Sequence, residues 1–333
     1  MGVALRDILA PYKRPAGWNE LAGTAAIDAH NALYQFLSII RQADGTPLVD
    51  AEGRVTSHLS GLFFRTTKFL AAGLLPVYVF DGAPPDLKAA TIQARRSVRE
   101  EAGRQYAAAV EAGDGAEAYK QARAATRIDT AVIASSQRLL DLLGVPWLTA
   151  PSEGEAQAAR MAADGAVAYA VSQDYDSLLF GAPDLARNIT ISGRRRLHGR
   201  SIVVEPERIR LAEVLDGLGL TREELVDVGI LVGTDFNPGV RGVGPKTALK
   251  IVREGRFEET VAERIPGFDP DPIRSFFLAP PVTTGYRPDW RSPDPEGLRA
   301  MLCDEYSFSA ERVNAALERI GVSAGQKTLD QWF

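Results

Sequence analysis

The sequence predicts an α/β protein with a mostly parallel central sheet flanked by helices, and three observations predict it. Short apolar runs alternate with stretches of helical periodicity along much of the chain. The apolar runs lack alternating polar residues, as do strands that are buried on both faces of a parallel sheet. Acidic residues recur directly after these runs. We therefore expect strands near 24–28, 76–81, 145–149, 166–171 and 189–191.

The remaining elements follow in chain order. A short amphipathic opening precedes the first strand, and a helix containing Leu33 and Phe36 follows it. Turn signals at Asp44-Gly45 and Glu52-Gly53 indicate a hairpin or loop before a helix near 56–72. Further helices are expected at 131–143, 153–163 and 221–232, the last opened by the capping-box pattern of Thr221 and Glu224.

Three segments depart from this alternation. Residues 86–130 are rich in Ala, Arg and Glu and broken by Gly-Asp-Gly at 113–115, which predicts two mobile helices that stand away from the core. From residue 256, frequent Pro and Gly indicate an extended wrapping segment, followed by a helix near 309–320, a polar linker and a tail. We accordingly divide the chain into 1–255, with subregions 86–130 and 221–255, then 256–322 and 323–333.

Composition excludes several classes of protein. The chain has 333 residues, 45% hydrophobic and 24% charged, with a net charge of −5 and one cysteine. A single cysteine rules out an intramolecular disulfide and a thiolate-rich zinc site, and the three histidines have no metal-ligand spacing. No apolar run is long enough to span a bilayer, and the N-terminus does not resemble a signal peptide. We expect a cytoplasmic monomer with no membrane contact. Residues 88–127 and 187–210 carry a local excess of basic residues that suits a polyanion.

The acids that follow the predicted elements are the candidate site. If the strands are neighbours, these carboxylates meet at one edge of the sheet, where their mutual repulsion requires a positive partner. Divalent metal ions with oxygen ligands would supply it, and two ions together can hydrolyse a phosphodiester. The acids are Asp28, Asp81, Glu153, Glu155, Asp174, Asp176 and Asp235.

Each acid also has a structural alternative. Glu155 could complete a capping box with Ser152, because the two are three residues apart. Asp28 and Asp81 could cap turns, and Asp235 could form an Asx turn before Pro238. The recurrence of acids at so many element ends favours the metal site.

A glycine turn near residue 242 is the second candidate site. The sequence GVRGVGPKTALKIV at 239–252 predicts a tight turn leading into a helix that begins at Pro245. The free N–H groups of such a helix can bind a phosphate, as helix-hairpin-helix modules do on nucleic-acid backbones. Lys246 strengthens this reading, and an ordinary turn between two helices is the alternative.

Several motifs together resemble the flap endonuclease family of structure-specific 5′ nucleases. They run from the N-terminal MGV through YQFLSIIRQADGTPL, TSHLSGLFFRT, VYVFDGAPPDLK, APSEGEAQAA, SQDYDSLLFGAP and LVGTDFNPGVRGVGPK to the C-terminus. The sequence shows no long basic C-terminal extension, and in this it resembles archaeal more than eukaryotic members of the family. The resemblance implies a PIN-like nuclease fold and a Mg²⁺-dependent enzyme of DNA replication and repair, which cuts 5′ flap DNA near the junction and is also a 5′-3′ exonuclease.

The resemblance also implies roles for individual residues. Asp28, Asp81, Glu153 and Glu155 would surround one Mg²⁺, and Asp174 and Asp176 the second, with Mn²⁺ as a substitute. Asp235 would act through water. The catalytic pair would be Lys88 and Arg95, at the base of an arch formed by 86–130, through which a single strand threads. DNA contacts would come from Gly2, Tyr34, Arg41, Gly242, Gly244 and Lys246, with a monovalent cation at the helix-hairpin-helix turn.

The C-terminal sequence QKTLDQWF matches the peptide box that binds sliding clamps of the PCNA type. Its anchors would be Gln326, Leu329, Trp332 and Phe333. A tail that packs on its own core is the alternative reading.

Two other functions remain open from the sequence. One is a different specificity on the same fold, either a Holliday-junction resolvase or a mainly exonucleolytic enzyme. The other is a non-catalytic scaffold that binds branched DNA, although a scaffold has no need of an anionic cluster.

Overall fold

A seven-stranded sheet forms the centre of the protein in a computed structural model that describes residues 2–42, 45–190, 193–197 and 200–330. Strands β4, β3, β2, β5 and β6 are parallel neighbours, and β9 and β1 extend the sheet in antiparallel fashion beyond β6. A separate hairpin consists of β7 and β8. The strands are β1 (Arg14–Pro15), β2 (Gly23–Asp28), β3 (Leu74–Phe80), β4 (Trp147–Thr149), β5 (Tyr169–Val171), β6 (Asp184–Arg187), β7 (Gly193–Leu197), β8 (Arg200–Val204) and β9 (Glu207–Arg210).

Helices cover both faces of the sheet, which confirms the predicted fold class. In the described part of the chain, no helix has the length and apolar character needed to cross a membrane. The α-helices are α1 (Arg6–Leu9), α2 (Ala29–Ile39), α3 (Ser57–Ala71), α4 (Ala89–Glu111), α5 (Gly115–Ala124), α6 (Thr130–Leu142), α7 (Gly154–Ala163), α8 (Asp176–Leu179), α9 (Leu211–Leu218), α10 (Arg222–Val232), α11 (Pro245–Arg253), α12 (Phe257–Arg264), α13 (Asp271–Leu278), α14 (Pro295–Arg299) and α15 (Ala310–Asp330).

Strand side chains alternate between two buried cores. In β3, Val77 and Val79 pack on one face among residues of α7, α8 and α10, whereas Tyr78 and Phe80 pack on the other among residues of α2, α3 and α6. Because both faces are covered, neither set of alternate positions is polar. This burial explains why the strands read as continuous apolar runs.

The parallel register places the carboxyl ends of the central strands at one edge. Asp28 lies opposite Val79, and Ile27 lies opposite Val171. The segments that follow β2, β3 and β5 therefore leave the sheet side by side, as open α/β sheets require for a ligand site.

Two predicted elements are wrong. The strand expected near 189–191 lies instead at Asp184–Arg187, because Asn188 has a left-handed backbone conformation (φ 63°) that ends it. Ile189 is apolar because it enters the core, not because it continues the strand. The polar linker expected after residue 320 is also wrong, since the backbone of α15 remains helical to Asp330.

The 86–130 segment (hereafter the arch segment) contains the two predicted helices, α4 and α5. Gly113 (φ 70°) breaks them, and Asp114 caps α5 by accepting from the Glu117 amide. At its far end this segment contacts the turn after α2, where Arg41 donates to the Thr126 hydroxyl at 2.6 Å and to the Gly45 carbonyl at 2.8 Å. The arch segment is therefore tethered at that end to the turn that follows α2.

Residues 279–294 (hereafter the strap) wrap the side of the sheet that ends in β4 without forming a helix or strand. The extended conformation predicted from residue 256 is otherwise wrong, because α12, α13 and α14 occupy much of 256–308. The buried side chain of Gln157 exchanges hydrogen bonds with the Thr283 backbone, at 2.9 Å to its carbonyl and 2.7 Å from its amide. The Trp290 indole donates to the Pro76 carbonyl at 2.9 Å. These bonds fix the strap against α7 and β3.

His58 is a buried histidine whose neutral form the fold requires. Its Nε2 lies 2.9 Å from the Ser135 hydroxyl, and burial lowers its pKa from 6.5 to about 4. Between these values only the unfolded chain binds the proton, so the contribution to stability is complete above pH 6.5 and is lost as the pH falls toward 4. The loss should reach about 3 kcal/mol near the lower value.

Urea unfolding of the wild type and of His58→Gln, followed from about pH 7.5 to 5, measures this loss. The amide of His58→Gln can still bond to Ser135, so the variant should lose less stability on acidification. Parallel curves for the two proteins would contradict the assignment.

Candidate metal centre and nucleic-acid surface

Asp28 and Asp174 reach a common region from neighbouring strands. Asp28 ends β2 and caps α2, with its Oδ1 accepting from the Asn31 amide at 2.9 Å. The Asn31 side chain in turn donates to Asp174 Oδ2 at 3.2 Å. Asp28 is thus both a helix cap and a member of the acidic cluster, because, after burial, the charges of Asp81, Asp174 and Glu153 all raise its pKa.

The segments after β3 and β4 touch directly. Asp81 accepts from the Gly154 amide at 2.7 Å, so it caps α7 from another strand. The Gly82 amide donates to the Ser152 carbonyl at 2.7 Å, and a Cβ on Gly82 would lie 1.9 Å from the Ala150 carbonyl oxygen. Only glycine permits this approach, which brings Asp81 beside the start of α7.

Glu155 does not form the capping box that its spacing from Ser152 suggests. Its Oε1 accepts from the Ser172 and Ser177 hydroxyls, at 2.5 and 3.2 Å. Among the described residues the buried Ser152 hydroxyl has no hydrogen-bond partner, and the N-cap residue of α7, Glu153, makes no capping bond with its own side chain. Glu155 is oriented toward the loop that carries Asp174, so the capping alternative is wrong.

The N-terminal segment closes one side of the cluster. The Val3 amide donates to Asp176 Oδ1 at 2.6 Å. A Cβ on Gly2 would lie 2.6 Å from the Asp174 Cβ and 2.7 Å from Asp176 Oδ1. Gly2 therefore lies against the acids, and any larger residue would displace them.

Basic residues of the arch segment pair with the acids. Lys88 donates to Glu153 at 2.6 Å and lies 3.4 Å from Asp235, while Arg95 donates to Asp235 at 2.5 Å. Asp235 follows α10 and not a strand. It lies in a turn closed by Thr234 and Asn237, whose side chains bond at 2.8 Å.

Burial and mutual repulsion raise the pKa values of the acids. Burial, then the charge of Asp81, raises the pKa of Asp28 well above its usual range. Burial, then Asp176, does the same for Glu155, and burial raises the pKa of Asp176 to about 7. For Lys88, burial alone would lower the pKa, but Glu153 and Asp235 outweigh it and raise the value. The cluster has a strong need for positive charge.

The donor set fits hard divalent cations. Every candidate ligand is a carboxylate, and Asp28 and Asp176 are buried, which is the chemistry that Mg²⁺ and Mn²⁺ prefer. In the described ranges, no three Asp, Glu, His or Cys side chains are arranged closely enough to hold one ion. Lys88 and Arg95 supply the counter-charge in this arrangement.

The other predicted DNA-contact residues lie on α2, in the turn after it and in the turn that leads into α11. Tyr34 is 43% exposed on α2, so it is not a core residue. The turn before α11 contains Gly242 at φ 80°, and Gly244 is the N-cap of the helix that begins at Pro245, as predicted. Lys246 lies exposed in its first turn. Arg41 lies under the arch segment, where it is partly buried.

The predicted clamp-binding residues fall at the C-terminal end of the chain. Trp332 and Phe333 lie outside the described residues, and so do the side chains of Gln326 and Leu329.

Several residues of the site escaped the sequence analysis. Asn31, His30, Ser172, Ser177 and Arg187 all contact the acids or their loops. His30 Nδ1 accepts from the Asp81 amide at 3.0 Å, although the histidines have no metal-ligand spacing. Only Asn31 carried a signal, since it lies one helical turn after Asp28 in the same motif.

Known proteins are similar to this chain in sequence and in fold. The model of the XPG N-terminal domain matches residues 1–102, and that of the XPG I-region matches 144–235. Flap endonuclease 1 of Methanosphaerula palustris is 63% identical over 333 residues, with both chains covered completely. Flap endonuclease 1 of Pyrococcus furiosus is 52% identical, covering 100% of this chain and 99% of its own. The solved flap endonuclease-1 from Methanococcus jannaschii has a TM-score of 0.78 at 37% identity, covering 98% of this chain and 100% of that one.

These similarities define a nuclease of the XPG class. Within it, the chain belongs to the flap endonuclease family, with archaeal relatives, as its motifs indicate. It is accordingly a structure-specific endonuclease of DNA replication and repair, and a metal-dependent enzyme.

Proposed function

We propose that the protein cuts 5′ flap DNA near the junction of single strand and duplex by two-metal-ion hydrolysis. The observation that carries the proposal is the convergence of acids from five chain segments beside Lys88 and Arg95. Its family membership supports the same reaction. A 5′-3′ exonuclease activity would follow from the same centre.

Two groups of acids would hold two Mg²⁺ ions. Asp28, Asp81, Glu153 and Glu155 form the first, Asp174 and Asp176 the second, and Asp235 would act through water. Such ions would lower the pKa of a bound water and shield charge on the leaving oxygen. The protein holds the acids in place through the Asn31, Ser172 and Val3 hydrogen bonds.

Lys88 and Arg95 would bind the scissile phosphate. Their present partners, Glu153 and Asp235, are candidate ligand residues, so both cations already point into the centre. A fixed cation that faces developing negative charge stabilises the transition state without reorganisation. The pair lies at the start of the arch segment and would therefore be close to the single strand that enters it.

The surface around the centre would set the substrate geometry. Tyr34 is exposed on α2, about one and a half helical turns after Asp28. A base next to the scissile phosphate could stack on its ring. The turn at Gly242 and Gly244, with Lys246, would bind the duplex backbone and a monovalent cation. Arg41 would lie near the bend of the template.

We also propose that the chain is divided into 1–255, 256–322 and 323–333, and that the enzyme acts at replication forks in the cytoplasm.

Cleavage of end-labelled double-flap DNA with Mg²⁺, Mn²⁺ or EDTA tests the proposal. Single-stranded, blunt-duplex and four-way-junction DNA are the controls. We expect metal-dependent cutting at the base of the flap, much faster than cutting of any control. Equal or faster cutting of the four-way junction would make the protein a resolvase, and binding without cutting would make it a scaffold.

We further propose that the C-terminal box recruits a sliding clamp. The support is the match of Gln326, Leu329, Trp332 and Phe333 to the box, because aromatic anchors fit a hydrophobic pocket.

Deletion of 326–333 should abolish the stimulation of cleavage by the clamp and leave basal cleavage unchanged. Initial rates on the same flap DNA with and without clamp measure both effects. Gln331→Ala is a matched control, since it alters a box position that is not an anchor. A fall in basal activity after the deletion would contradict the role of the tail as a tether.

A further inference from the structure

Arg187 binds the loop that carries Asp174 and Asp176 through the two residues that flank Asp174. It ends β6, and its side chain is only 13% exposed. Its Nε and Nη2 both donate to the Gln173 carbonyl, at 3.1 and 2.8 Å. Its Nη1 donates to the Tyr175 hydroxyl at 2.6 Å, and the guanidinium lies 4.0 Å from the centre of the Tyr175 ring. One side chain thus grips the residues on both sides of Asp174.

Asn31 and Val3 bind the carboxylates of this loop, but few described bonds hold its backbone against the repulsion among the acids. Of its own backbone, the Asp174 amide donates to the Ser172 hydroxyl at 3.1 Å. Asp174 and Asp176 repel each other and Glu155, which contributes to the raised pKa values of Glu155 and Asp176. Without a fixed backbone, that repulsion would turn the carboxylates apart.

Arginine suits this task because its planar fork offers several donors at fixed angles. Glu207 accepts from Nη1 at 2.5 Å and lies 3.4 Å from Lys13, so Arg187 is held and neutralised by the neighbouring strand β9. The sheet therefore fixes Arg187, and Arg187 fixes the loop.

We propose that Arg187 is a positioning residue for the second metal group, setting the orientation of Asp174 and Asp176 through Gln173 and Tyr175. It touches neither acid in the contacts described, so it is not a catalytic residue. The inference rests on the proposed metal centre and extends it to the residue behind the ligands. Partners of this kind typically contribute 10–100-fold to metal affinity.

Arg208 provides a matched control in the same sheet. It lies on β9, donates to Asp184 at 3.1 Å and to the Glu20 carbonyl, and lies 5.0 Å from the Tyr169 ring centre. It resembles Arg187 in its acid partner, its carbonyl partner and its tyrosine. None of its described contacts reaches the loop of Asp174.

Mn²⁺ binding to the full DNA-free chain, followed by electron paramagnetic resonance, tests the inference alongside thermal unfolding. Arg187→Met should weaken Mn²⁺ binding at one site about tenfold or more and shift the Mg²⁺ midpoint for cleavage upward, with flap binding unchanged. Arg187→Lys should recover part of the affinity, because it keeps one donor and the contact with Tyr175. Arg208→Met should lower the melting temperature and leave Mn²⁺ affinity intact.

Mn²⁺ affinity of Arg187→Met equal to the wild type would overturn the inference, as would an equal loss in Arg208→Met. If Arg187→Met fails to fold, Arg187→Lys decides the question by the same comparison. Absence of Mn²⁺ binding in the wild type would instead overturn the metal centre itself, and with it this inference.

Discussion

Replacement of Asp174 by alanine should abolish cleavage of flap DNA and leave flap binding intact. The carboxylate lies among Asn31, Gly2 and the repelling acids, and it is proposed to hold one of the two metal ions. Loss of that ion removes several kcal/mol of charge stabilisation from the transition state, so we expect a rate at least about 1000-fold lower. Single-turnover cleavage of preformed complexes measures the rate, and fluorescence anisotropy with Ca²⁺ measures binding.

Asp184→Asn is the matched control for this experiment. Asp184 is also a buried aspartate of the sheet, but it pairs with Arg208 and not with the acidic cluster. Its replacement should lower stability and leave the chemical step unchanged in folded protein. Undiminished cleavage by Asp174→Ala would remove this residue from the metal centre.

Replacement of Lys88 by methionine should slow cleavage by about 100- to 1000-fold. Lys88 is buried between Glu153 and Asp235, and methionine keeps most of its volume without the charge. Because the cation would face charge that develops on the phosphate, its loss should lower the single-turnover rate more than the affinity for DNA. Rates measured at saturating enzyme separate the two effects.

Lys120→Met tests whether any positive charge of the arch segment would have the same effect. Lys120 lies on α5, paired with Glu117 and 70% exposed. Its replacement should change the rate by less than about twofold, since exposed ion pairs contribute little. A similar loss in both variants would show that Lys88 acts through general attraction of DNA and not at the phosphate.

The helices and most strands could be predicted because apolar runs, helical periodicity and capping patterns lie within the sequence of each element. Thr221 and Glu224 form the capping box that their spacing predicts, with both reciprocal hydrogen bonds present. Ser152 and Glu155 have the same spacing and form none, because Ser172 and Ser177 bind Glu155 instead. Both segments match the capping-box pattern, and their tertiary surroundings decide which of them forms it.

The acids of the site were identifiable because each follows a buried element, whereas the residues that orient them were not. Asn31 reaches Asp174 across 143 positions, and Arg187 reaches Gln173 across the gap between two strands. No periodicity or motif specifies such contacts, since they depend on strand order. The strand predicted near 189–191 was wrong for a related reason. The left-handed conformation of Asn188 ends β6 at Arg187, and the apolar residues beside it give no sign of this.

The strap has a consequence for how copies of the protein behave toward one another. An exposed edge strand is a template for pairing with a second chain, and this leads to aggregation. Here β4 is three residues long, and its Trp147 carbonyl accepts from the Tyr286 hydroxyl of the strap at 3.4 Å. The opposite edge, β1, is two residues long and includes Pro15, which has no amide to offer. Both edges of the seven-stranded sheet are therefore short, and neither leaves a second copy of the protein more than three residues of strand to pair with.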